Sequence, residues 1–419
     1  MAHIKKATGL LDWFDQRLAT NKFMKVMMSE YWIPKNINFL WAMGVTLLVL
    51  FLFLFISGLM LVMYYKPDAN LAFDSVNFTI MQEVEYGWLW RHIHAVSASV
   101  TFLIIYIHMF VGIYFRSYKK GREMIWIGGM LLFIVFSAEA FSGYMLPWGQ
   151  MSYWAAMVIT NLFGGIPVIG DALVEWIRGD YAVSDPTLTR FFMLHVCLLP
   201  IITIAIIAFH FYSLRFPHVN NLEGEEIDFD LEAEKFLEGK TKESKVIPFW
   251  PGFLSKDIFY VSLFMIFFFY LVGFQFNFAM DPINFDPANN LKTPTHIYPE
   301  WYFLWQYEIL RGFFFDIGSL KAADIGFIAF GFAGISLFLL PWLDRSDKVA
   351  PAHKNYAFLI WFWVLLIDIV FLTIFGKLPA DGATFGISNS LIGFILSMIY
   401  ILEIVLVLPL ITIAERKRG

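Results

Sequence analysis

Apolar residues in this chain gather in long blocks separated by short polar or charged stretches. Eight blocks reach about the 20 residues that a helix needs to cross a hydrocarbon core. They run over 38–64, 89–114, 124–146, 187–213, 258–280, 323–342, 356–376 and 391–412. Each is bounded by charge, proline or glycine. A backbone in lipid must satisfy its own hydrogen bonds, so the blocks are predicted to be helices. The expected fold is all-α and integral to the membrane, with eight transmembrane helices.

Basic residues orient these helices. Lys5, Lys6, Arg17, Lys22, Lys25 and Lys35 precede the first block; Arg116, Lys119, Lys120 and Arg122 follow the second. Arg345, Lys348 and Lys354 follow the sixth, and Arg416-Lys417-Arg418 lies at the end. With an even number of spans all of these fall on one side, while the opposite loops are poorer, the first holding Lys66 and the last Lys377. Both termini are therefore expected in the cytoplasm, and loops 147–186 and 281–322 outside. The resulting divisions are an amphipathic N-terminal arm (1–37), a four-helix bundle (38–215), a cytoplasmic loop (216–256) and a C-terminal four-helix region (257–419). The inner loop is acidic around Glu223–Asp230 and reads as a solvated surface. Residues 150–177 mix Tyr153, Trp154, Phe163 and Trp176 with small and polar residues, which suits helices lying in the membrane interface.

Composition agrees: 59% of the 419 residues are apolar and 16% are charged, far from soluble averages. The single cysteine, Cys197, excludes an internal disulfide and reads as a small buried residue. No C-x-x-C-H occurs, so any haem here is not thioether-linked. The first apolar block is too long for the core of a cleavable leader, and none is expected.

Ionisable groups inside a span are costly and usually functional. The second block carries His92, His94 and His108, and the fourth carries His195 and His210. His94 and His108 are about 21 Å apart along a helix, and His195 and His210 about 22 Å. Blocks two and four run in the same direction, so depth pairs His94 with His195 near the outer surface and His108 with His210 near the inner one. One imidazole from each of two parallel helices suits bis-histidine ligation of a haem, twice over. A lone intramembrane histidine is more often a packing or proton-path residue, but two pairs matched in depth are hard to obtain by chance. His92 has no depth partner and reads as structural or as facing the outer loop. Gly44 and Gly58 in the first block, and Gly129 and Gly143 in the third, repeat the 14-residue step. They would let backbone approach a flat ligand or serve ordinary helix packing. Arg91 could pair with a haem propionate.

Four segments carry a family resemblance. They are Arg91-His92-Ile93-His94 with its step to His108, and Gly143-Tyr144-Met145-Leu146-Pro147-Trp148-Gly149-Gln150-Met151-Ser152-Tyr153-Trp154. The others are Pro248-Phe249-Trp250-Pro251 followed by Lys256-Asp257, and Pro299-Glu300-Trp301-Tyr302 between blocks five and six. Over nearly its full length the chain resembles cytochrome b of the cytochrome bc complexes. The resemblance implies the catalytic, di-haem subunit of a respiratory quinol–cytochrome c oxidoreductase in the bacterial cytoplasmic membrane. Its partners would be a Rieske iron–sulfur protein, a cytochrome c-type subunit and a second copy of the complex; no nucleic acid is expected. Quinol would be oxidised at an outer site, one electron leaving to the Rieske protein. The other would cross through two non-covalent haems b, an outer low-potential one (His94/His195) and an inner high-potential one (His108/His210). It would reach a quinone at an inner site, with protons released outside and taken up inside.

The resemblance assigns the outer site to Tyr144, the 150–165 segment with Ala155, Pro299, Glu300, Tyr302 and Tyr307. Glu300, in a loop at membrane depth, is chemically suited to accept a proton. The inner site would use Asp257 as proton donor, with Lys256 beside it; taken alone, Asp257 reads equally well as a helix N-cap. Some positions depart from the family pattern. The step from His195 to His210 is one residue longer than in mitochondrial relatives and matches the chloroplast-type branch. Arg215 stands where mitochondrial relatives place a quinone-site histidine, with His218 nearby but out of register. Val111 stands where many relatives carry an arginine for the inner haem, leaving Arg116, Ser117 and Arg122 as candidate replacements. Ala155 replaces a common glycine, which would narrow the outer pocket against methoxyacrylate inhibitors. Two other readings compete. A proton-coupled transporter calls for inverted repeats and broken helices, and no repeat is seen. A di-haem anchor of a dehydrogenase would lack the Pro299–Tyr302 loop.

Overall fold

The computed structural model describes residues 8–418 apart from 26, 27, 29, 167, 276, 277 and 279. Parts of the expected N-terminal arm and of the end of the fifth block thus lie outside the described residues. Among those described, seven helices are long and apolar enough to cross a membrane: Phe39–Val62, Gly87–Tyr114, Glu123–Met145, Asp185–Leu214, Phe249–Phe274, Tyr356–Lys377 and Asn389–Lys417. An eighth apolar helix, Ala322–Phe338, is 17 residues long and is followed by the short helix Leu340–Leu343. The break falls where Pro341 has no N–H to continue the ladder. In chain order these are helices one to eight, Ala322–Phe338 being the sixth. Among the described residues the chain is predominantly helical, with two short strand pairings.

The fifth helix departs most from expectation. Its regular α-helix runs from Leu254 to Phe274 rather than over 258–280. Before it, Phe249–Phe253 is a kinked entry in which Trp250 is extended, at φ −105° and ψ 131°. The helix therefore begins inside the 216–256 stretch expected as the inner loop. Asp257 is consequently inside the first α-turn, with Phe253 at the N-cap position. The N-cap alternative for Asp257 is therefore excluded.

Helix one packs along helix two, and helix three along helix four. The two halves of the molecule share one apolar core, built from Phe102, Met109 and Ile113 of helix two, Met130 and Phe133 of helix three, Leu337 of helix six, Trp361 and Leu365 of helix seven and Tyr400 of helix eight. Large apolar side chains such as Leu52, Phe55, Ile56, Ile266, Phe267 and Ile360 remain exposed on the spanning helices, as a lipid-facing surface requires. Outside the spans, the helices expected in the 147–186 loop are Gln150–Leu162 and Gly170–Arg178. Buried Arg178 ties them together, donating to Thr160 Oγ1 at 2.9 Å and to Asn161 Oδ1 at 2.8 Å. Trp32–Pro34 pairs antiparallel with Val246–Pro248, joining the N-terminal arm to the inner loop. A second pairing joins Ala383–Thr384 to Ile387–Ser388. Cys197 is half-buried rather than buried.

Candidate functional site

The outer histidines meet as depth alone suggests. The rings of His94 and His195 have centroids 6.1 Å apart and planes at 84°. Two imidazole–metal bonds of about 2.0 Å, plus about 1.1 Å from each nitrogen to its ring centre, call for roughly 6 Å. The pair therefore fits an iron between its Nε2 atoms. The other ring nitrogens are engaged: His94 Nδ1 lies 2.9 Å from the Ser57 hydroxyl, and His195 Nδ1 lies 3.0 Å from the Glu139 carbonyl. Such partners fix ring orientation and leave the opposite nitrogen for a metal.

The four glycines have a more specific task than expected. Each is the place where one histidine ring rests against a neighbouring helix. A methyl on Gly58 would stand 3.3 Å from His94 Cε1, and one on Gly44 3.8 Å from His108 Cε1. On Gly129 it would stand 3.5 Å from His210 Cε1, and on Gly143 2.9 Å from both ring nitrogens of His195. Helix one thus backs both histidines of helix two, and helix three backs both of helix four. His108 and His210 lie near each other, with the Ile125 carbonyl beside His210. The outer pair, with the glycines behind it, fits a flat, iron-centred group held between helices two and four.

The longer step on helix four has a structural explanation. At about 100° per residue, 14 residues return to within about 40° of the starting face, whereas 15 land about 60° to its other side. Leu194–Leu198, which contains His195, is wound as a π-turn. A π-turn takes up one extra residue, so the step behaves as 14. Pro200, which has no N–H to offer the preceding turn, follows directly.

The outer pair opens into a cavity of about 280 Å³ that is also lined by Arg91, Tyr144, Asp281, Asn284, Glu300 and Tyr302. Tyr144 is hydrogen-bonded to Glu300. Burial, reinforced by the charge of Asp281, pushes the Glu300 carboxyl up to about 7, against the pull of the Tyr144 bond and Lys377. Arg91 is aimed by Asn77, donating to its Oδ1 at 2.8 Å. Tyr302 stacks on Phe102 at 4.0 Å, and its carbonyl accepts from Tyr106 at 2.5 Å. Pro299, Ala155 and Tyr307 do not border the cavity. Ala155 is buried on its own helix, and Tyr307 donates to the Ile297 carbonyl at 3.2 Å. The sequence reading missed Asp281, Asn284, Ser57 and Glu139. Asn284 accepts from the Ser152 N–H at 2.8 Å, fixing the Pro147–Trp154 turn over the site. The one signal for Asp281 and Asn284 was their place in an outer loop.

The inner side is only partly as expected. Asp257 is buried with Oδ1 lacking a hydrogen-bond partner, while Lys256 is exposed. The Arg215 guanidinium lies over the Tyr31 ring at 4.0 Å and near Phe249 at 5.9 Å, with Nε and Nη1 lacking partners. His218 is stacked between Tyr31 at 5.2 Å and Phe229 at 4.0 Å. Arg116 is not available to a haem. It is fully buried, 2.8 Å from Glu415 and 3.4 Å from Asp344, and lies 3.9 Å over the Phe358 ring. Arg122 is likewise engaged, donating to the carbonyls of Pro217 and His218. The Ser117 N–H closes the end of helix two on the Gly112 carbonyl. Neither arginine therefore replaces the one missing at Val111. His92 is buried edge-on to Trp88, as a packing residue would be.

Fold and site together define a multi-pass membrane protein built around two intramembrane histidine pairs. Comparison with known proteins identifies the family. Residues 28–217 match the family model "Cytochrome b/b6/petB", and residues 287–401 match "Cytochrome b(C-terminal)/b6/petD". Cytochrome b of Rickettsia prowazekii is 40% identical over 97% of this chain and 95% of its own length. That of Rhodobacter capsulatus is 40% identical over 90% of this chain and 87% of its own. A chain of a solved hyperthermophilic respiratory complex III superposes with a TM-score of 0.86 at 37% identity, covering 97% of this chain and 100% of that one. The chain belongs to the cytochrome b family, whose members bind haem b. It is of the kind that forms the core of bc1-type respiratory complex III, a quinol–cytochrome c oxidoreductase.

Proposed function

We propose that this chain holds two haems b, the outer between His94 and His195 and the inner between His108 and His210, and carries out quinol oxidation coupled to proton translocation. The observation that carries this reading is the outer pair, spaced for an iron and opening into the same cavity as Glu300, Tyr144 and Tyr302. When bound, the haems supply one-electron transfer across the bilayer. The residues do the rest. Glu300 accepts a proton from quinol as its carboxylate, and its bond to Tyr144 orients it toward the cavity. Arg91, aimed by Asn77, offers its charge at the rim of the outer haem site. The Rieske protein and the cytochrome c-type subunit take up the first electron in the assembled, dimeric complex.

The second electron reaches a quinone at an inner site formed by Asp257, Arg215 and the Tyr31–Phe249 cluster. Support comes from complementary unsatisfied groups: a buried carboxylate oxygen and two guanidinium N–H groups facing an aromatic surface. Buried polar atoms without partners are rare and mark ligand positions. Lys256, exposed beside Asp257, supplies protons from the cytoplasm. Ala322–Leu343 serves as the eighth crossing, which returns both termini to the cytoplasmic side of the inner membrane. The test is a reduced-minus-oxidised spectrum of the purified complex, with redox titration. Two b-type components of unequal midpoint are expected, both reducible by quinol; absence of b-type bands refutes the reading.

A further inference from the structure

Asp281 stands where the cavity beside the outer histidines meets the outer surface. Its side chain lines that cavity together with Glu300 and Tyr144, yet the residue is half-exposed. Two donors hold its carboxylate in place. The Ile283 N–H donates to Oδ1 at 2.9 Å, which caps the short turn Pro282–Phe285. The Tyr298 hydroxyl donates to the same carboxylate. Tyr298 leads on to the surface: its ring lies 5.2 Å from the His296 ring and 5.8 Å from the ammonium of exposed Lys377. The other carboxyl lining the cavity besides Glu300 is Glu139. It lies six residues, or roughly 9 Å, deeper along helix three than the outer end of that helix at Met145.

A carboxyl that accepts a proton from quinol must lose it to outer water before the next turnover. We propose that Asp281 is the proton-exit residue of the outer site: it takes the proton from Glu300 and passes it to water at the surface. In that step the Glu300 O–H bond breaks and an Asp281 O–H bond forms, directly or through one water, and Asp281 then gives the proton to outer water. No electron moves. The groups facing the two carboxyls are Tyr144 of helix three, Tyr298 and Tyr302 of the 281–322 loop and Lys377 at the end of helix seven. Arg91 of helix two lines the same cavity. The tyrosine hydroxyls already carry their protons at neutral pH and the cations accept none. Asp281 is therefore the acceptor that reaches both the cavity and the solvent. The inference rests on Glu300 being the group that takes the proton from quinol.

The experiment is steady-state cytochrome c reduction by a short-chain quinol in the full complex, with kcat and KM taken between about pH 6 and 8. Asp281→Asn keeps the shape and the cap on Ile283 but cannot take a proton. Its kcat at about pH 8 is expected to fall at least tenfold, with KM for quinol unchanged and both haems still present. Asp281→Glu is expected to restore most of the rate. A neighbour acting only through its charge would behave differently. The charge of Asp281 holds the Glu300 carboxyl up, so removing it would move the rising limb of the pH profile to lower pH and leave the rate at about pH 8 intact; that outcome overturns the inference. So does an unchanged profile, or a low rate that Asp281→Glu fails to restore. If Asp281→Asn does not assemble, Asp281→Ser, which also caps a helical turn, is measured against the same expectations. Glu300→Gln is run alongside. If it keeps the full rate, the reading of Glu300 fails and this inference with it; a slow Glu300→Gln beside a fast Asp281→Asn refutes the inference alone.

Discussion

The four glycines form a graded series that tests the haem cradle. Ordinary carbon contacts lie at about 3.5–4.0 Å. An alanine methyl at Gly44 meets His108 at 3.8 Å and needs no adjustment, and one at Gly129 meets His210 at 3.5 Å. At Gly58 the 3.3 Å approach asks His94 to yield by a few tenths of an ångström. At Gly143 the methyl would stand 2.9 Å from Nδ1 and Nε2 of His195 and closer still to Cε1, so the ring must move by about 1 Å. His195 cannot move freely, because its Nδ1 is bound to the Glu139 carbonyl at 3.0 Å. Overpacking costs about 1–3 kcal/mol, and losing that hydrogen bond adds about 1 kcal/mol. The shift also takes Nε2 out of line with His94. Gly143→Ala is expected to lose the outer haem, Gly58→Ala to keep it with weakened retention, and Gly129→Ala and Gly44→Ala to keep both haems. Haem-to-protein ratios by alkaline pyridine haemochrome, with redox titration to resolve the two components, give the readout. Full haem content in Gly143→Ala, or equal damage from Gly44→Ala, refutes the argument.

Further predictions concern the carboxyl and the charge cluster. Because Glu300 is raised to about 7, its base form grows from about one tenth at pH 6 to about nine tenths at pH 8. Quinol oxidation should therefore rise with pH through about 7, and Glu300→Gln should lower the rate and abolish that limb in steady-state cytochrome c reduction. Removing the Tyr144 hydroxyl removes an interaction that pulls the Glu300 value down. Tyr144→Phe should accordingly move the limb to higher pH; a limb that moves lower contradicts the assigned contact. Arg116→Gln leaves partly buried Glu415 without its cation and buried Asp344 with Lys119 alone, at 3.7 Å, and should cost about 3 kcal/mol of stability. Thermal loss of the reduced-haem band in detergent measures this. Both haem midpoints should stay unchanged, and a shift confined to the inner haem would restore Arg116 to that site.

Periodicity and depth carried the sequence reading far, because they depend on one helix at a time. Block positions, the histidine depths and the 14-residue glycine steps follow from rise per residue alone. What escaped the reading depends on contacts between distant segments. Arg116 looked free to serve a haem, yet its charge is taken by Asp344 and Glu415, more than two hundred positions away in sequence. Ser57, Glu139 and Asp281 each looked unremarkable until the fold set them beside His94, His195 and Glu300. The start of the fifth helix was missed because Lys256 and Asp257 read as loop charges, although both lie in the first turn of the helix that starts at Leu254.

The spacing of His195 and His210 shows why the two kinds of information have to be combined. Counted on a straight helix, 15 residues would swing the second ring by about 100° relative to 14, from about 40° on one side of the first to about 60° on the other, and one of them would miss its partner on helix two. Both histidines nevertheless lie against the glycines of the same neighbour, Gly143 and Gly129, which are themselves 14 apart. A straight helix four cannot match a 15-residue step to a 14-residue one, so the surplus residue has to be absorbed between the two rings. The π-turn at Leu194–Leu198 is placed to do this, at the outer ligand rather than at the middle of the span. It follows that deleting one residue within Val196–Leu199 should convert the turn to plain α-helix and leave both histidines in register. Deleting one residue between Ile204 and Ala208 would leave the π-turn in place and rotate His210 off the inner site. The first deletion is expected to keep both haems and the second to lose the inner one, and the reverse outcome would show that the turn does not absorb the extra residue.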